Sequence, residues 1–290
     1  MALVDTDLTR DLVQARIQGR QSDTAGAVFK GLLVACLVVV LAALVALLIS
    51  VAPAGLEVFS VRGVSDFVLR PFSVRPEKAG VFQGIVGTVT CALLVAVVAF
   101  PMGVAAAVYL EEYAHDNWFT RIVNLVIRNL AGVPAIVYGL LGFALFVDGP
   151  FTGFTGGTTL LSTGLTLSIL VLPIVVITSA EAIRAVPSAL REGGYGVGAT
   201  RWEVTRTLVL PNAMGGMLTG TILGLARALG EAAPLFFMGA KTSIFSGGEW
   251  GDLRGDFTAL PMIISDWATR PATKWNGNTQ AAILVTLVLV

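Results

Sequence analysis

The chain has 290 residues, of which 55% are hydrophobic and only 13% are charged. Soluble domains carry roughly twice that charged share, and a soluble core could not hide so many apolar side chains, so the composition excludes a soluble globular protein. Nineteen basic and nineteen acidic residues give a formal net charge of zero, which offers no attraction for a nucleic-acid partner.

Six apolar runs follow one another along the chain. A helix that crosses a membrane needs about 20 mostly apolar residues. The first run follows a polar tail and is too long to be the core of a cleaved secretory signal, so we expect a retained helix. The last run stops after twelve residues, where the sequence ends. The runs cover residues 28–51, 84–110, 130–147, 159–180, 212–240 and 279–290.

These runs predict an all-α, polytopic membrane protein with six transmembrane helices. Backbone amides in lipid must be satisfied within one segment, and the strands of a β-barrel would alternate polar and apolar residues instead. We expect a cytoplasmic tail over 1–27, a first transmembrane helix over 28–51 and a membrane domain over 84–290. Because the last run ends in mid-helix, we expect about ten further apolar residues and then a basic tail.

The distribution of basic residues favours an amino terminus in the cytoplasm. With that orientation the cytoplasmic segments carry ten Lys or Arg, and the opposite side carries eight. The short loop 148–158 has no basic residue, whereas the segment 181–211 has four. The second of these segments is therefore expected to face the cytoplasm.

The polar segment 181–211 predicts two short helices joined by a tight turn. Pro187 suits the first turn of a helix, and Gly198 suits its end, because glycine accepts a left-handed backbone. A second helix over about 201–210 is expected to stop before the proline that follows it. The two helices would form a compact projection from the membrane face.

This segment resembles the EAA loop of ABC importer permeases, whose pattern is Glu-Ala-Ala, three residues, Gly, nine residues, Ile, one residue and Leu-Pro. Here Gly-Gly replaces Ala-Ala and Leu replaces Ile. The matching residues are Glu192-Gly193-Gly194, Gly198, Leu208 and Leu210-Pro211. In that family the loop docks into a cleft of the ATPase subunit and transmits its motion, so we name 181–211 the coupling segment. Its candidate contacts are Arg191, Glu192, Gly198, Ala199, Thr200, Arg201 and Trp202.

Three further stretches resemble the phosphate-specific members of this family. They are Pro101–Tyr113, Asn129–Leu140 and Ala226–Leu235, and the similarity runs from about residue 84 to the end. Together they look like the PstA subunits, although the paired PstC permeases share a variant of the last stretch. The resemblance implies the type I ABC importer permease fold for residues 84–290, in the plasma membrane of a bacterium.

Arg227 and Glu231 are the only ionisable residues within 212–240. Ionised groups at membrane depth cost at least about 2.5–3.5 kcal/mol each and usually have a function, and a spacing of four lets these two pair. Pro234 should kink the helix just beyond them. The pair either offers Arg227 to phosphate, with Glu231 as its resting partner, or locks two helices. A stripe of small residues on the same helix suits close packing: Gly216, Gly220, Gly224, Ala228 and Ala232.

The resemblance also implies partners: a second, PstC-like permease, a PstB-like ATPase dimer and a PstS-like extracytoplasmic phosphate-binding protein. The chain has no Walker-type motif, so ATP and Mg²⁺ are expected on the ATPase, and this chain is expected to hold no cofactor. No catalytic or metal-binding constellation is present, and His115 is the single histidine. We therefore predict a non-enzymatic subunit.

Two alternatives stay open. The same machinery could carry sulfate, molybdate or phosphonate, because one arginine does not distinguish these oxyanions. An ion-coupled secondary transporter would need a broken-helix ion site, and a membrane enzyme would need a catalytic cluster; the sequence indicates neither.

The outer loop 241–278 carries Trp250, Trp267 and Trp275 and an amphipathic pattern over 258–268. The apolar face of that pattern consists of Leu260, Ile263, Ile264 and Trp267. It fits a helix in the membrane interface or a docking surface for the binding protein.

Overall fold

The computed structural model describes residues 24–240, 250–271 and 274–290, and every regular element in these ranges is helical. The all-α class is confirmed for this part of the chain, whereas residues 1–23 of the predicted tail lie outside it. The helices are α1 (Thr24–Arg62), α2 (Val64–Leu69), α3 (Phe82–Val108), α4 (Trp118–Ala131), α5 (Ala135–Gly142), α6 (Thr152–Thr155), α7 (Leu160–Arg184), α8 (Ser188–Gly196), α9 (Arg201–Val204), α10 (Leu210–Gly230), α11 (Ala233–Phe237), α12 (Leu260–Thr269) and α13 (Lys274–Leu289).

Three π-helical turns extend these helices. They are Tyr109–Tyr113 after α3, Phe143–Val147 after α5 and Thr205–Val209 between α9 and α10. The last turn makes α9 and α10 one continuous span, Arg201–Gly230. The prediction that the second short helix stops before Pro211 is therefore wrong. A π-helical turn is an irregularity that occurs inside α-helices, and here it ends two residues before Pro211, which cannot donate to the helix ladder.

Four helices among the described residues are long and apolar enough to cross a membrane, and a bent pair gives a fifth. The predicted number of six is therefore not reached, because α13 has 16 described residues and lies below the length of a full span. The four helices are Thr24–Arg62, Phe82–Tyr113, Leu160–Arg184 and Arg201–Gly230, and the bent pair is Trp118–Ala131 with Ala135–Val147.

The chain divides into two compact units, 1–50 and 51–290. In the first unit, residues 24–50 form a helix whose side chains are exposed almost throughout, as expected of an apolar helix that lipid solvates. Helix α1 continues to Arg62, so the predicted loop 52–83 is partly helical. The helix is followed by Gly63, whose φ of 82° and ψ of 145° are a backbone conformation that glycine readily adopts.

Helix α7 lies at the centre of the second unit and packs against both α3 and α10. Small residues permit both approaches. A Cβ at Gly103 of α3 would lie 2.6 Å from Cγ1 of Val175, and a Cβ at Gly220 of α10 would collide with the Thr178 side chain. Gly216 and Gly220 of the predicted small-residue stripe thus make the expected close contacts with α7, whereas Ala232 lies beyond the end of α10.

The amphipathic pattern over 258–268 does form a helix, α12, but its apolar face is buried inside the protein. Leu260, Ile263 and Trp267 are all at most 1% exposed. Trp267 packs against Phe72 and against Trp275 of α13, with ring centroids 6.1 and 5.4 Å apart. Both readings of this face, interfacial helix and docking surface, are therefore wrong, because other apolar elements of the same chain cover it.

Candidate functional site

The last long membrane helix is interrupted beside the predicted charged pair. Helix α10 ends at Gly230 and α11 begins at Ala233, so the segment 212–240 is not one helix. Pro234 cannot donate to the carbonyl of Gly230 and crowds it, which explains the stop. The sequence predicted a kink beyond the pair, whereas the break falls at Glu231 itself, whose backbone is extended.

The predicted pairing of Arg227 with Glu231 is present. Arg227 Nε lies 3.5 Å from Glu231 Oε1, and the two side chains are 49% and 24% exposed. Ala228, the next residue, is buried in the core that α10 shares with α7. The arginine therefore points away from the helix seam, as predicted, and its guanidinium can form paired hydrogen bonds with an oxyanion.

A second interruption separates α4 from α5, whose axes differ by 102°. The prediction of one straight helix over 130–147 is therefore wrong. Val133 precedes Pro134 and is pushed out of the helical region, while Pro134 cannot donate to the carbonyl of Leu130. That carbonyl instead accepts from the Val133 amide at 3.1 Å and from the Tyr138 hydroxyl at 2.8 Å. The dipeptide Val133-Pro134 was the signal that could have revealed this break.

The two interruptions lie close together, because the short helices that follow them pack on each other. A Cβ at Gly139 of α5 would lie 2.9 Å from Cα of Pro234 in α11. An ion-coupled secondary transporter would need a broken-helix ion site, and the sequence does not indicate one. The described residues contain two interrupted helices, so the continuity of the helices does not exclude that class.

The coupling segment has the predicted form up to its second helix. Helix α8 follows Pro187 directly, and Gly198, with φ of 85°, makes the turn after it. Thr200 and Glu203 then form a capping box at the start of α9: the Thr200 amide donates to Glu203 Oε2 at 2.7 Å. The box fixes the direction in which the chain leaves the turn.

The surface of this segment carries large exposed apolar side chains. Val197, Trp202 and Tyr195 are 85%, 54% and 44% exposed. Beneath them Gly194 fits against Val204, and a Cβ there would lie 2.8 Å from Val204 Cγ2. Most of the candidate contact residues are exposed as well: Glu192, Gly198, Thr200, Arg201 and Trp202, with Ala199 half-buried.

Arg191 differs from the other candidates, because its guanidinium is bound inside the chain. Nη2 donates to Glu112 Oε1 at 2.9 Å, and Nη1 donates to the carbonyl of Val186 at 2.8 Å. Glu112 is only 5% exposed. The sequence analysis missed this carboxylate, and no spacing rule could have joined residues so far apart in the chain. The arginine thus has a defined internal role, and its predicted contact with an ATPase stays a prediction.

Comparisons with known proteins point to a family of membrane transport proteins. Residues 99–290 match the family described as the binding-protein-dependent transport system inner membrane component. The chain is 34% identical over 285 residues to the probable ABC transporter permease protein YqgH of Bacillus subtilis, which covers 96% of this chain and 90% of that protein.

Two relatives carry names that mention a cargo. The phosphate transport system permease protein PstA of Mycobacterium leprae is 34% identical over 75% of this chain and 69% of its own length. The phosphate transport system permease protein PstC of Xylella fastidiosa strain 9a5c is 34% identical over 72% of this chain and 71% of its own.

A solved structure of the MetNI methionine ABC transporter in an inward-facing conformation has a similar fold. The TM-score is 0.51 at 19% identity, covering 73% of this chain and 88% of that one. At this identity the likeness concerns the fold alone.

The family match and the long apolar helices identify a multi-pass membrane subunit of an ABC importer. The chain belongs to the family of binding-protein-dependent transport system inner membrane components. Members of this family are permeases that work with an ATPase and a binding protein. Because the chain belongs to this family, the alternative of an ion-coupled secondary transporter has no support. The helices themselves do not decide between the two classes.

Proposed function

We propose that this chain is the PstA-type permease subunit of an ATP-driven importer of inorganic phosphate, and that it forms half of the translocation pathway. The observation that carries the proposal is the Arg227–Glu231 pair at the end of α10. Its guanidinium is half exposed in a helix that is otherwise apolar, and it stays charged when desolvated. The names of the PstA and PstC relatives support phosphate as the cargo.

The remaining partners follow from the same proposal. A PstC-like permease completes the pathway, a PstB-like dimer binds ATP and Mg²⁺, and a PstS-like protein delivers phosphate from outside. This chain holds no cofactor and catalyses no reaction. Its amino terminus lies in the cytoplasm, which places the coupling segment on the side of the ATPase. Closure of the ATPase would move that segment and open the pathway outward.

The proposal is tested on the complex purified with its co-expressed partners and reconstituted into proteoliposomes. Inorganic phosphate with the binding protein should stimulate ATP hydrolysis, whereas sulfate should not. Stimulation by sulfate, molybdate or phosphonate in place of phosphate would show that this other oxyanion is the cargo. Uptake without ATP would remove the chain from this transport mechanism altogether.

The role of Arg227 has its own test. Arg227→Lys keeps the charge and loses the planar fork, so we expect phosphate uptake to fall by about tenfold or more. Arg70 pairs with Asp66 over the same sequence separation, at 2.7 Å, and lies outside the break. Arg70→Lys is therefore the matched control and should transport normally. Normal uptake by Arg227→Lys would leave the pair with a packing role only.

A further inference from the structure

The end of α3 is joined to the coupling segment at three consecutive residues. Glu111, Glu112 and Tyr113 belong to the π-helical turn that extends α3, and each contacts a different arginine. The contacts are the Glu111–Arg184 and Glu112–Arg191 ion pairs and the Arg201 guanidinium 5.4 Å from the centre of the Tyr113 ring. We name these six residues the arginine clamp.

The middle contact of the clamp is the most buried. The Glu112 and Arg191 side chains are 5% and 22% exposed, against 13% and 48% for Glu111 and Arg184. Arg191 also donates to the carbonyls of Ile183 and Val186 at 2.9 and 2.8 Å. One guanidinium therefore joins the end of α3, the end of α7 and helix α8.

Breaking the contacts of the Arg191 guanidinium is energetically costly. Removing one partner of a buried ion pair leaves a charge without compensation, which costs far more than breaking an exposed pair. The covalent route from the segment into the membrane runs only through α7 before it and α9–α10 after it. The clamp adds a third, non-covalent route, into α3.

We propose that Glu112 is a positioning residue: through Arg191 it makes the end of α3 and the coupling helix α8 move as one body. The inference rests on the proposed function, because a partner must first displace α8. A displacement of α8 then reaches α3 directly, and α3 carries it to the interface that it forms with α7 around Gly103 and Val175.

The first test measures transport and ATP hydrolysis in the reconstituted complex. Glu112→Gln keeps the shape of the side chain and removes its charge. We expect phosphate uptake to fall about tenfold while ATP hydrolysis stays within about twofold, since the link and not the ATPase is altered. A variant that merely failed to fold would lose both activities together. Uptake by Glu112→Gln equal to that of the unaltered complex overturns the proposal.

Asp116 supplies the matched control. It pairs with Arg121 at 3.0 Å in the turn just after the clamp, and both side chains are about three-quarters exposed, at 77% and 74%. The Arg121 guanidinium lowers the pKa of the Asp116 carboxyl, so Asp116 is charged at neutral pH. Asp116→Asn removes an equivalent charge outside the clamp and should leave uptake unchanged.

A double variant tests whether the two residues act together. If Glu112 acts through Arg191, then Glu112→Gln combined with Arg191→Gln should transport no worse than the poorer single variant. Losses that multiply would mean independent roles and would overturn the proposal.

A last measurement does not depend on transport. Trypsin cleaves after arginine, so loosening the clamp should speed cleavage after Arg191 and Arg201 severalfold in the purified complex without ATP. Glu112→Gln should show this increase and Asp116→Asn should not; unchanged cleavage in Glu112→Gln overturns the clamp. If the unaltered complex takes up no phosphate while the cleavage pattern holds, the proposed function fails and the clamp stands.

Discussion

At the scale of single residues, the packing of α7 depends on positions where any side chain is too large. Gly220 faces Thr178, and Gly215, on the same helix, faces open space. We expect Gly220→Ala to cost roughly 1–3 kcal/mol through overpacking. Gly215→Ala should be neutral or stabilising by up to about 1 kcal/mol, because alanine is the better helix former. Thermal unfolding of the purified variants in detergent distinguishes the two; equal melting temperatures would contradict this contact.

A second prediction at this scale concerns the carbonyl that Pro134 leaves without its usual donor. Tyr138→Phe removes the hydroxyl that bonds to Leu130, and we expect a loss of about 1 kcal/mol in stability. Tyr109→Phe is the control, because that ring is 62% exposed. A stable Tyr138→Phe protein would mean that water or a partner replaces the bond.

At the scale of elements, the turn after α8 needs a left-handed residue. Gly198 has φ of 85°, whereas Gly196, two residues earlier, has an ordinary helical backbone. Both have open space around them, so only conformation differs. Gly198→Ala should cost roughly 1–2 kcal/mol, and Gly196→Ala should not. We expect the first variant alone to weaken phosphate-stimulated ATP hydrolysis, because it tilts α9 relative to α8.

The same scale shows what the sequence could and could not reveal. Among the described residues, the apolar runs identified all four helices long enough to cross a membrane, because a helix satisfies its own backbone in lipid. The sequence predicts a kink at Pro234 and no break at Pro134, because whether a proline bends or ends a helix depends on its neighbours in space. The sequence predicts the amphipathic face of α12 but not the elements that bury it. A hydrophobic pattern shows which residues avoid water and not what packs against them.

The candidate site, like the fold, was predictable from the sequence only in part. Arg227 and Glu231 stood out because two charges in an apolar helix require an explanation, and their pairing follows from a spacing of four. The fit of Glu112 to Arg191 depends on the packing of α3 beside α7, which no local pattern encodes.

At the scale of the whole molecule, a cluster of aromatic rings joins the chain before α3 to its last two helices. Trp267 is 1% exposed, and its ring lies against Phe67, Phe72 and Trp275. Trp267→Ala should lower stability by roughly 3–5 kcal/mol. Trp250→Ala should change it by less than about 0.5 kcal/mol, since Trp250 is 60% exposed. Equal tolerance of both changes, measured by the yield of folded protein, would contradict a core role for α12.

The central position of α7 has a consequence for how the protein is made. Helix α3 leaves the ribosome before α7, and the groove at Gly103 that will receive Val175 has no occupant until then. The Gly103 face of α3 can therefore be covered in its final form only once α7 has been synthesised, and α10 can take its place against Thr178 only after that.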